Sequence, residues 1–320
     1  MAIAHIFLSM LLAGQAHALP PDPPVVPPAA KPEQQPPAEP RMSPECLAPA
    51  DPKAPADPNA PFATAGAMLD ALEKADATLR TLTADLRYER EFEIHGDRQV
   101  RIGKLVYTVT EPSAPDAAAK GESPTTEPVR DRRFGVRFES LQVGRRVEPE
   151  VYEVVFDGRW LVEKRPAIKE LTRTEIVRPG DAFDPLRIGQ GPFPVPVGQR
   201  RADIEARYDV TLLAPEDGLE ALDERDTPAL RAFVEGSQQL RLVIKPELAP
   251  SEDLREIRLW YRRGSDGVLL PRLARTLNRA GDVSLVQMIN VRVNGPVPAE
   301  VLDTAAPPDW NQQVRPLPPR

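Results

Sequence analysis

The sequence predicts an α+β fold in which an unclosed antiparallel sheet of about ten strands wraps over helices and encloses an apolar cavity. Three observations lead to this prediction. An amphipathic helix over residues 66–79 runs directly into two alternating strands, at 86–94 and 100–109. Short turns separate most of the later strands, which favours antiparallel pairing. Few helices remain to cover so large a sheet, so its interior face exceeds what its own aromatic side chains fill.

The first helix and strand are recognised by their hydrophobic periods. Apolar side chains recur at helical spacing, at Met68, Leu69, Leu72, Ala75 and Leu79. The period then changes to two. Apolar side chains point to one side of the strand, at Leu86, Tyr88, Phe92 and Ile94. Charged side chains point to the other side and form an outward polar face, at Arg87, Glu89, Glu91 and Glu93.

Later strands follow the same criteria. The clearest hairpin joins 151–156 to 159–164, because Asp157-Gly158 between two apolar runs is a strong turn signal. Further strands are predicted at 133–139, 168–177, 240–244, 256–261, 268–270, 272–278 and 283–293. No internal repeat is visible.

Irregular segments interrupt the strands. Residues 111–128 predict a long loop, and residues 183–197 are rich in proline, which excludes a central strand or a helix interior. The second segment is nevertheless apolar, and exposed apolar loops usually cover something, so Phe193 is a candidate lid residue. Residues 199–208 predict a short helix. Residues 216–235 predict a polar helical insertion or, alternatively, a solvated loop.

The first 62 residues divide into two segments. Residues 1–18 are typical of a secretory signal peptide, with a short apolar core and the cleavage pattern Ala16-His17-Ala18. A wrong start codon or an uncleaved anchor are the alternatives, because no Lys or Arg precedes the core. Residues 19–62 predict a Pro-rich disordered tether or a solubilising tail. The single cysteine, Cys46, lies there. We expect a periplasmic protein, membrane-tethered if the signal is not cleaved, whose folded domain spans 63–320.

The side chains available argue against an enzyme. His5 and His17 are lost with the signal peptide, so the mature chain keeps only His95 and Cys46, too few for a nucleophilic triad or a His-based zinc site. The net charge of −7 gives no reason to expect nucleic-acid binding. We expect no catalytic residue, no metal and no cofactor. A carboxylate-based hydrolase is the weaker alternative.

Aromatic side chains on the predicted strands either fill a core or line a pocket. For each of them alone a filled core is the simpler interpretation, and the argument for a pocket is collective. The candidate residues of an acyl-binding cavity are Leu105, Tyr107, Phe138, Phe156, Trp160 and Trp260.

The order of these segments resembles the LolA/LolB-like family of periplasmic outer-membrane lipoprotein carriers. The resemblance covers about residues 65–310. It rests on the helix followed by residues 79–86, on Gly103-Lys104-Leu105-Val106-Tyr107, on the hairpin at 155–162 with Pro166 after it, and on the late hairpins at 263–267 and 283–293. Glu111 before Pro112 departs from the family, which often has an arginine there.

The resemblance implies an unclosed antiparallel barrel whose hydrophobic cavity takes up acyl chains. Such carriers receive lipoproteins from an inner-membrane extractor and pass them to an outer-membrane acceptor, without a nucleotide of their own. The leading hypothesis is therefore a monomeric periplasmic carrier of lipoproteins or lipids. The alternative is an envelope-stress sensor that uses the same fold to bind a regulatory protein.

Overall fold

The computed structural model describes residues 60–94, 96–110, 131–178, 200–249, 252–264 and 267–318. The predicted signal peptide, Cys46, His95, the 111–128 loop and Phe193 lie outside the described residues. Three helices are described, namely α1 (Ala65–Thr78), α2 (Arg201–Arg207) and α3 (Thr227–Val234). The described strands are β1 (Thr81–Phe92), β2 (Asp97–Thr110), β3 (Asp131–Val143), β4 (Arg146–Phe156), β5 (Trp160–Arg165), β6 (Glu170–Glu175), β7 (Tyr208–Leu213), β8 (Gln238–Ile244), β9 (Leu254–Arg263), β10 (Leu269–Asn278), β11 (Val283–Val293) and β12 (Asn311–Arg315).

All twelve described strands form one sheet. Their order is β12-β6-β5-β4-β3-β2-β1-β11-β10-β9-β8-β7. The strands pair antiparallel, except β12, which lies parallel to β6. Because β1 pairs with both β2 and β11, the two halves of the chain meet at the centre of the sheet. The predicted antiparallel half-barrel over helices is confirmed, with twelve strands in place of about ten.

Helix α1 shows how strongly the sheet is curved. It packs against β7, and its Asp76 forms an ion pair with Arg132 of β3, with the Arg132 Nη2 and Asp76 Oδ2 atoms 3.2 Å apart. Strands β7 and β3 are seven spacings apart in the sheet order, about 34 Å if the sheet were flat. A helix of 14 residues is about 21 Å long. The sheet therefore wraps around the helix, and we call the wrapped side the inner face and the opposite side the outer face.

Local sequence explains how α1 begins and how it is held. The Thr64 hydroxyl accepts a hydrogen bond from the Ala67 N–H at 3.1 Å, as an N-cap does. Met68 and Leu69 are the buried side chains of the helix. On its exposed side, Asp70 pairs with Arg201 at the start of α2 at 3.1 Å. The two helices thus lie together on the inner face.

The predicted Asp157-Gly158 hairpin is confirmed between β4 and β5. The Asp157 carboxylate accepts hydrogen bonds from the N–H groups of Arg159 at 3.0 Å and Trp160 at 2.8 Å. Gly158 has a backbone φ of 104°, a conformation that residues with a Cβ rarely adopt. This turn sets the register in which Phe156 pairs with Leu161.

A flap of residues 214–236, which we call the outer flap, covers the outer face of β8–β11. It contains the 3-10 helix Glu224–Asp226 and α3, so the predicted insertion at 216–235 is helical in part, but it buries Leu219, Leu230 and Val234 and is therefore neither purely polar nor a solvated loop. The Trp260 indole N–H of β9 donates to the Pro215 carbonyl oxygen at 2.8 Å. Apolar side chains of the flap and of the sheet form one buried cluster, made of Leu219, Leu230, Val234, Trp260, Leu273 and Leu285.

A second covering of the outer face comes from residues 296–318, which we call the C-terminal strap. Its 3-10 helix, Ala299–Leu302, packs against β2, β3 and β4, and Val301 is buried there. Farther along, Trp310 packs against a small cluster formed by Val155, Val162 and Leu171. The strap then adds β12 to the edge of β6.

Several sequence-based expectations need correction. Glu89 lies on the outer face but is 1% exposed and not solvated, because it pairs with Arg87 and with Arg98, which also binds Asp223 and Asp226 of the outer flap. Ile94 does not continue the apolar side of β1; it lies in a turn and is 80% exposed. Ile168 belongs to a 3-10 helix, Pro166–Ile168, that precedes β6. The two strands predicted at 268–278 are one strand, β10, with a bulge between Pro271 and Leu273.

Candidate functional site on the inner face

Three rows of side chains cross β1, β2, β3 and β4 on the inner face, as the strand registers show. The middle row is small and aliphatic and consists of Ala84, Leu105, Val136 and Val154. The row on one side consists of Leu82, Tyr107, Phe134 and Phe156. The row on the other side consists of Leu86, Gly103, Phe138 and Tyr152. We call the middle row the aliphatic row; it is a strip of low side chains between two rows that carry large rings.

Ring contacts fix both flanking rows. Phe134 and Phe156 are stacked with centroids 6.0 Å apart. In the other row Phe138 stacks on Tyr152 at 6.2 Å and also contacts Tyr88 at 6.2 Å in a tilted arrangement. Such pairs add about 0.5–1.5 kcal/mol each beyond the burial of their area. The walls of the aliphatic row are therefore more rigid than a row of unbranched side chains would be.

Gly103 is the smallest residue in the second flanking row. A Cβ at this position would lie 2.2 Å from the Arg137 carbonyl oxygen and 2.8 Å from the Phe138 Cα. The glycine thus permits the close approach of β2 and β3 at the bulge beside Gly103 and Phe138.

Polar side chains occupy one end of the inner face. The Tyr152 hydroxyl donates a 2.5 Å hydrogen bond to Glu163 of β5. The Arg165 guanidinium lies over the Tyr152 ring, 5.6 Å from its centroid. Arg101 of β2 pairs with Glu150 at 3.2 Å. We call this group, Arg101, Glu150, Tyr152, Glu163 and Arg165, the polar end.

Burial governs the protonation of Tyr152. It raises the pKa of the phenol well above its usual value, and the neighbouring Glu163 carboxylate raises it further, while Arg165 and Arg101 act in the opposite direction. The phenol therefore stays protonated and remains a hydrogen-bond donor at neutral pH. The inner face thus combines buried apolar side chains along the aliphatic row with charged and hydrogen-bonding groups at one end of it.

The predicted cavity residues fall into two groups. Leu105, Tyr107, Phe138 and Phe156 are fully buried and lie together on the inner face, within or beside the aliphatic row. Trp260 and Trp160 lie on the outer face instead. Trp260 is buried beneath the outer flap, and Trp160 packs beside Val155 and Val162. The predicted lid residue Phe193 is outside the described residues.

Sequence reasoning missed the small members of the site, Ala84, Gly103 and Val136, and the polar partner Tyr152. Aromatic side chains were the signal that was followed, and small residues carry no such signal in a single strand. The available signal was positional. Ala84 and Val136 each lie two residues from a predicted inward-facing residue, so alternation alone places them on the same face.

Two further observations concern the described part of the chain. Among residues 60–318, apart from the gaps given above, no group of three or more His, Cys, Asp or Glu side chains is placed to hold a metal ion. None of the described helices has the length and apolarity needed to cross a membrane.

Solved structures similar to this chain include three with broad coverage. A conserved protein from Thermus thermophilus is 12% identical, with a TM-score of 0.38, and the match covers 78% of this chain and 99% of that one. A LolA superfamily protein from Nitrosomonas europaea is 12% identical, with a TM-score of 0.31 and coverages of 76% and 98%. A putative outer membrane lipoprotein-sorting protein domain from Vibrio parahaemolyticus is 9% identical, with a TM-score of 0.31 and coverages of 73% and 95%.

The structure comparison thus finds LolA superfamily and lipoprotein-sorting proteins, the family that the order of the sequence segments resembles. At these identities and TM-scores, it carries no conclusion about what this chain binds. No protein-family model matches the sequence, and no curated protein matches it.

Proposed function

We propose that the protein is a periplasmic carrier that binds acyl chains of lipoproteins or lipids on the inner face of the half-barrel and ferries them toward the outer membrane. The observation that carries this proposal is the aliphatic row, a strip of aliphatic side chains between two rows that carry aromatic rings on β3 and β4. It extends over three strand spacings, about 14 Å. An extended hydrocarbon chain laid across β1–β4 would contact methyl groups below it, with leucine side chains on both sides at β1 and aromatic rings on both sides at β3 and β4.

The physical chemistry of such binding suits a carrier. Each methylene group transferred from water to an apolar surface contributes about 0.8 kcal/mol. A few acyl chains therefore bind tightly through contacts that are individually weak and non-directional. No covalent step and no cofactor is needed to release the ligand to a partner that offers a larger apolar surface.

The polar end also supports this proposal, because it can bind the polar group of a lipid. A lipid or lipopeptide has a polar group at one end of its acyl chains, and that group must remain solvated or hydrogen-bonded. Arg101 and Arg165 provide cationic groups there, and Glu150 and Glu163 provide acceptors. We place the acyl chain along the aliphatic row and its polar group at this end.

The proposed organisation of the chain follows the same logic. Residues 63–320 are the ligand-binding domain, residues 1–18 a cleaved signal peptide and residues 19–62 a tether. An inner-membrane extractor and an outer-membrane acceptor are the proposed partners. Intact mass of the protein recovered from the periplasm tests the first step, since cleavage after Ala18 leaves a chain that begins at Leu19.

Tryptophan fluorescence offers a direct test of the ligand and of its location. All three tryptophans, Trp160, Trp260 and Trp310, pack in outer-face clusters. A Phe138→Trp variant adds a fluorophore beside the aliphatic row. A fatty acid brominated on its chain quenches fluorophores that it contacts. We expect it to quench Phe138→Trp and to leave the wild-type fluorescence unchanged.

The matched control is Phe233→Trp, which adds a tryptophan to the outer flap. Quenching of this variant to the same extent as Phe138→Trp would contradict binding on the inner face. Native mass spectrometry of the full-length wild-type protein with the same fatty acid provides a measurement without any substitution. If no complex forms and no variant is quenched, the carrier proposal fails and the regulator-binding alternative becomes the one to pursue.

A further inference from the structure

The structure assigns a second binding site at the edge of β6. Its ligand is an extended peptide segment that is directly preceded by an acidic residue and an aromatic residue. The chain's own C-terminal strap occupies this site, with β12 as the bound strand. The site lies on the outer side of the half-barrel and does not involve the aliphatic row. It is therefore independent of the proposed carrier function.

Backbone groups make most of the contact between β12 and β6. The Asn311 N–H donates to the Lys169 carbonyl oxygen at 2.8 Å, and Asn311 to Arg315 run in register with Glu170 to Thr174. In a parallel pair, alternate residues direct their N–H and C=O groups to the same neighbour. Gln313 therefore faces β6 with its backbone N–H, as Asn311 does, and Gln312 faces away from it.

The side chains of β12 contribute little to this contact. All five residues of the strand are exposed, and even Val314 is 60% exposed. A bound strand of this kind can be replaced by almost any other extended sequence, because backbone hydrogen bonds do not depend on side chains. The edge of β6 thus supplies affinity but almost no discrimination between sequences.

Discrimination comes from the two residues before the strand. Trp310 packs on the outer-face cluster of Val155, Val162 and Leu171. Asp309 pairs with Lys169 at 2.7 Å, a contact in which both side chains are more than half exposed and which is correspondingly weak. The aromatic residue is therefore the main anchor, and the preceding acidic residue is a minor one.

Polar groups of β6 and the residues after it complete the site. The Leu317 N–H donates to Glu175 at 3.1 Å, and Arg178 donates to the Pro318 carbonyl oxygen at 2.7 Å. Both contacts use the backbone of the strap and not its side chains. The site thus binds a main chain over about eight residues and one aromatic side chain at its beginning.

Displacement of β12 from β6 costs the rest of the fold little stability. A strand of five residues at a sheet edge, with no buried side chain of its own, belongs to the least stable elements of a domain and opens locally. A peptide from a partner protein that carries the acidic-aromatic pair before an extended segment can then pair with β6 in place of β12. The C-terminal strap accordingly limits access to the site.

Proline substitutions in the full-length chain test this inference. Gln313→Pro removes a backbone donor that faces β6, whereas Gln312→Pro removes one that faces away. A labelled peptide with the sequence of residues 306–318 is added to each variant. We expect the peptide to bind Gln313→Pro at least about tenfold more tightly than wild type or Gln312→Pro. Hydrogen exchange at Asn311 and Arg315 should accelerate only in Gln313→Pro.

Peptide variants separate the two parts of the site. A peptide with Trp310→Ala should lose binding to the Gln313→Pro chain, and a peptide with Gln312→Ala should keep it. Circular dichroism checks that both protein variants retain their fold. The inference is overturned if the Gln313→Pro chain exchanges β12 freely yet binds no peptide, or if Gln312→Pro and Gln313→Pro release β12 equally.

Discussion

Glu89 and Arg98, on neighbouring strands β1 and β2, form an ion pair on the outer face, with the Arg98 Nη2 and Nε atoms 2.6 and 3.1 Å from Glu89 Oε2. Only 2% of the Glu89 side chain is exposed. The same guanidinium pairs with Asp223 at 3.2 Å and Asp226 at 2.8 Å in the outer flap. One arginine therefore joins the centre of the sheet to the segment that covers it, and Arg87 pairs with Glu89 from the other side.

This arrangement predicts that Glu89→Gln destabilises the protein by about 2 kcal/mol. Removing one partner of a buried ion pair leaves the other charge uncompensated, at a cost of about 3–5 kcal/mol. The cost is smaller here because Arg98 keeps both aspartates. Urea unfolding measures the change.

The control for Glu89→Gln is Glu148→Gln. Glu148 pairs with Arg146 in the β3–β4 hairpin, where the two side chains are 49% and 81% exposed. An exposed pair contributes at most about 1 kcal/mol. Equal effects of the two substitutions would contradict the role assigned to the buried pair.

Two buried tyrosines predict a loss of stability in alkaline solution. Burial raises the pKa of Tyr152 and of Tyr261 in the native state. In the unfolded chain both phenols titrate near pH 10. The stabilisation is therefore complete below pH 10 and declines as the pH rises from there toward the native pKa. Absorbance at 295 nm should show these two phenols ionising together with the loss of the circular dichroism signal.

Tyr152→Phe separates the contribution of this tyrosine. The variant should show a shallower alkaline decline. At neutral pH it should be less stable by about 1–2 kcal/mol, because Glu163 loses its phenol donor. An unchanged alkaline decline in Tyr152→Phe would mean that this phenol does not limit stability.

Much of the fold could be predicted because its strands alternate cleanly. Leu86, Tyr88 and Phe92 were placed on one face of β1, and the Asp157-Gly158 turn was placed between β4 and β5. These features depend on neighbours in the sequence. The hydrogen bonds from Asp157 to the next residues show that the turn is specified locally.

Two strands escaped prediction for physical reasons. Strand β7 follows α2 without a Gly or Pro between them, so no boundary signal marks its first residue, Tyr208. Strand β12 has the sequence Asn-Gln-Gln-Val-Arg, which has no apolar alternation because none of its side chains is buried. A strand held by its backbone alone leaves no hydrophobic pattern to read.

The candidate site was predicted only in part. Leu105, Tyr107, Phe138 and Phe156 share the inner face because strand alternation determines it. Trp160 and Trp260 are large and apolar like them, and composition gives no sign that the outer face is covered as well. That covering depends on where residues 214–236 and 296–318 fold back, which is a long-range property of the chain.

At Gly135 of β3, the C-terminal strap packs directly against the backbone of the sheet. A Cβ at this position would lie 2.1 Å from the Val301 carbonyl oxygen, which belongs to the backbone and cannot rotate away. Gly135→Ala should therefore destabilise the protein by about 1–3 kcal/mol, the range for overpacking. Hydrogen exchange should rise across the 3-10 helix Ala299–Leu302.

Gly295→Ala is the matched control within the same region. Apart from its two chain neighbours, no described residue has an atom within 4 Å of a Cβ at Gly295. The substitution should change the free energy of unfolding by less than about 0.5 kcal/mol. If Gly135→Ala is as well tolerated as Gly295→Ala, the strap does not pack on β3 as closely as the structure shows.

Trp260→Phe distinguishes an outer-face anchor from a ligand contact. The substitution removes the hydrogen bond to Pro215 and part of the volume beneath the outer flap. We expect a loss of about 1–3 kcal/mol in stability. Affinity for a fluorescent fatty acid should stay within about twofold of wild type, by titration. A large loss of affinity at unchanged stability would instead make Trp260 a ligand residue.

Ala84→Leu tests the aliphatic row itself. Ala84 is 5% exposed and is the smallest residue of the row, directly opposite Leu105. A leucine would fill the strip between Leu82 and Leu86 and remove the space proposed for an acyl chain. Affinity for a fluorescent fatty acid should fall at least about tenfold, the equivalent of about 1.4 kcal/mol, or two methylene contacts.

The control for Ala84→Leu is Ala221→Leu in the outer flap, where an alanine is also packed against an apolar cluster. Both variants add the same atoms, so both should lose some stability through overpacking. Only Ala84→Leu should lose affinity, because only Ala84 belongs to the aliphatic row. Equal affinities in the two variants would show that acyl chains, if bound, do not lie along the aliphatic row.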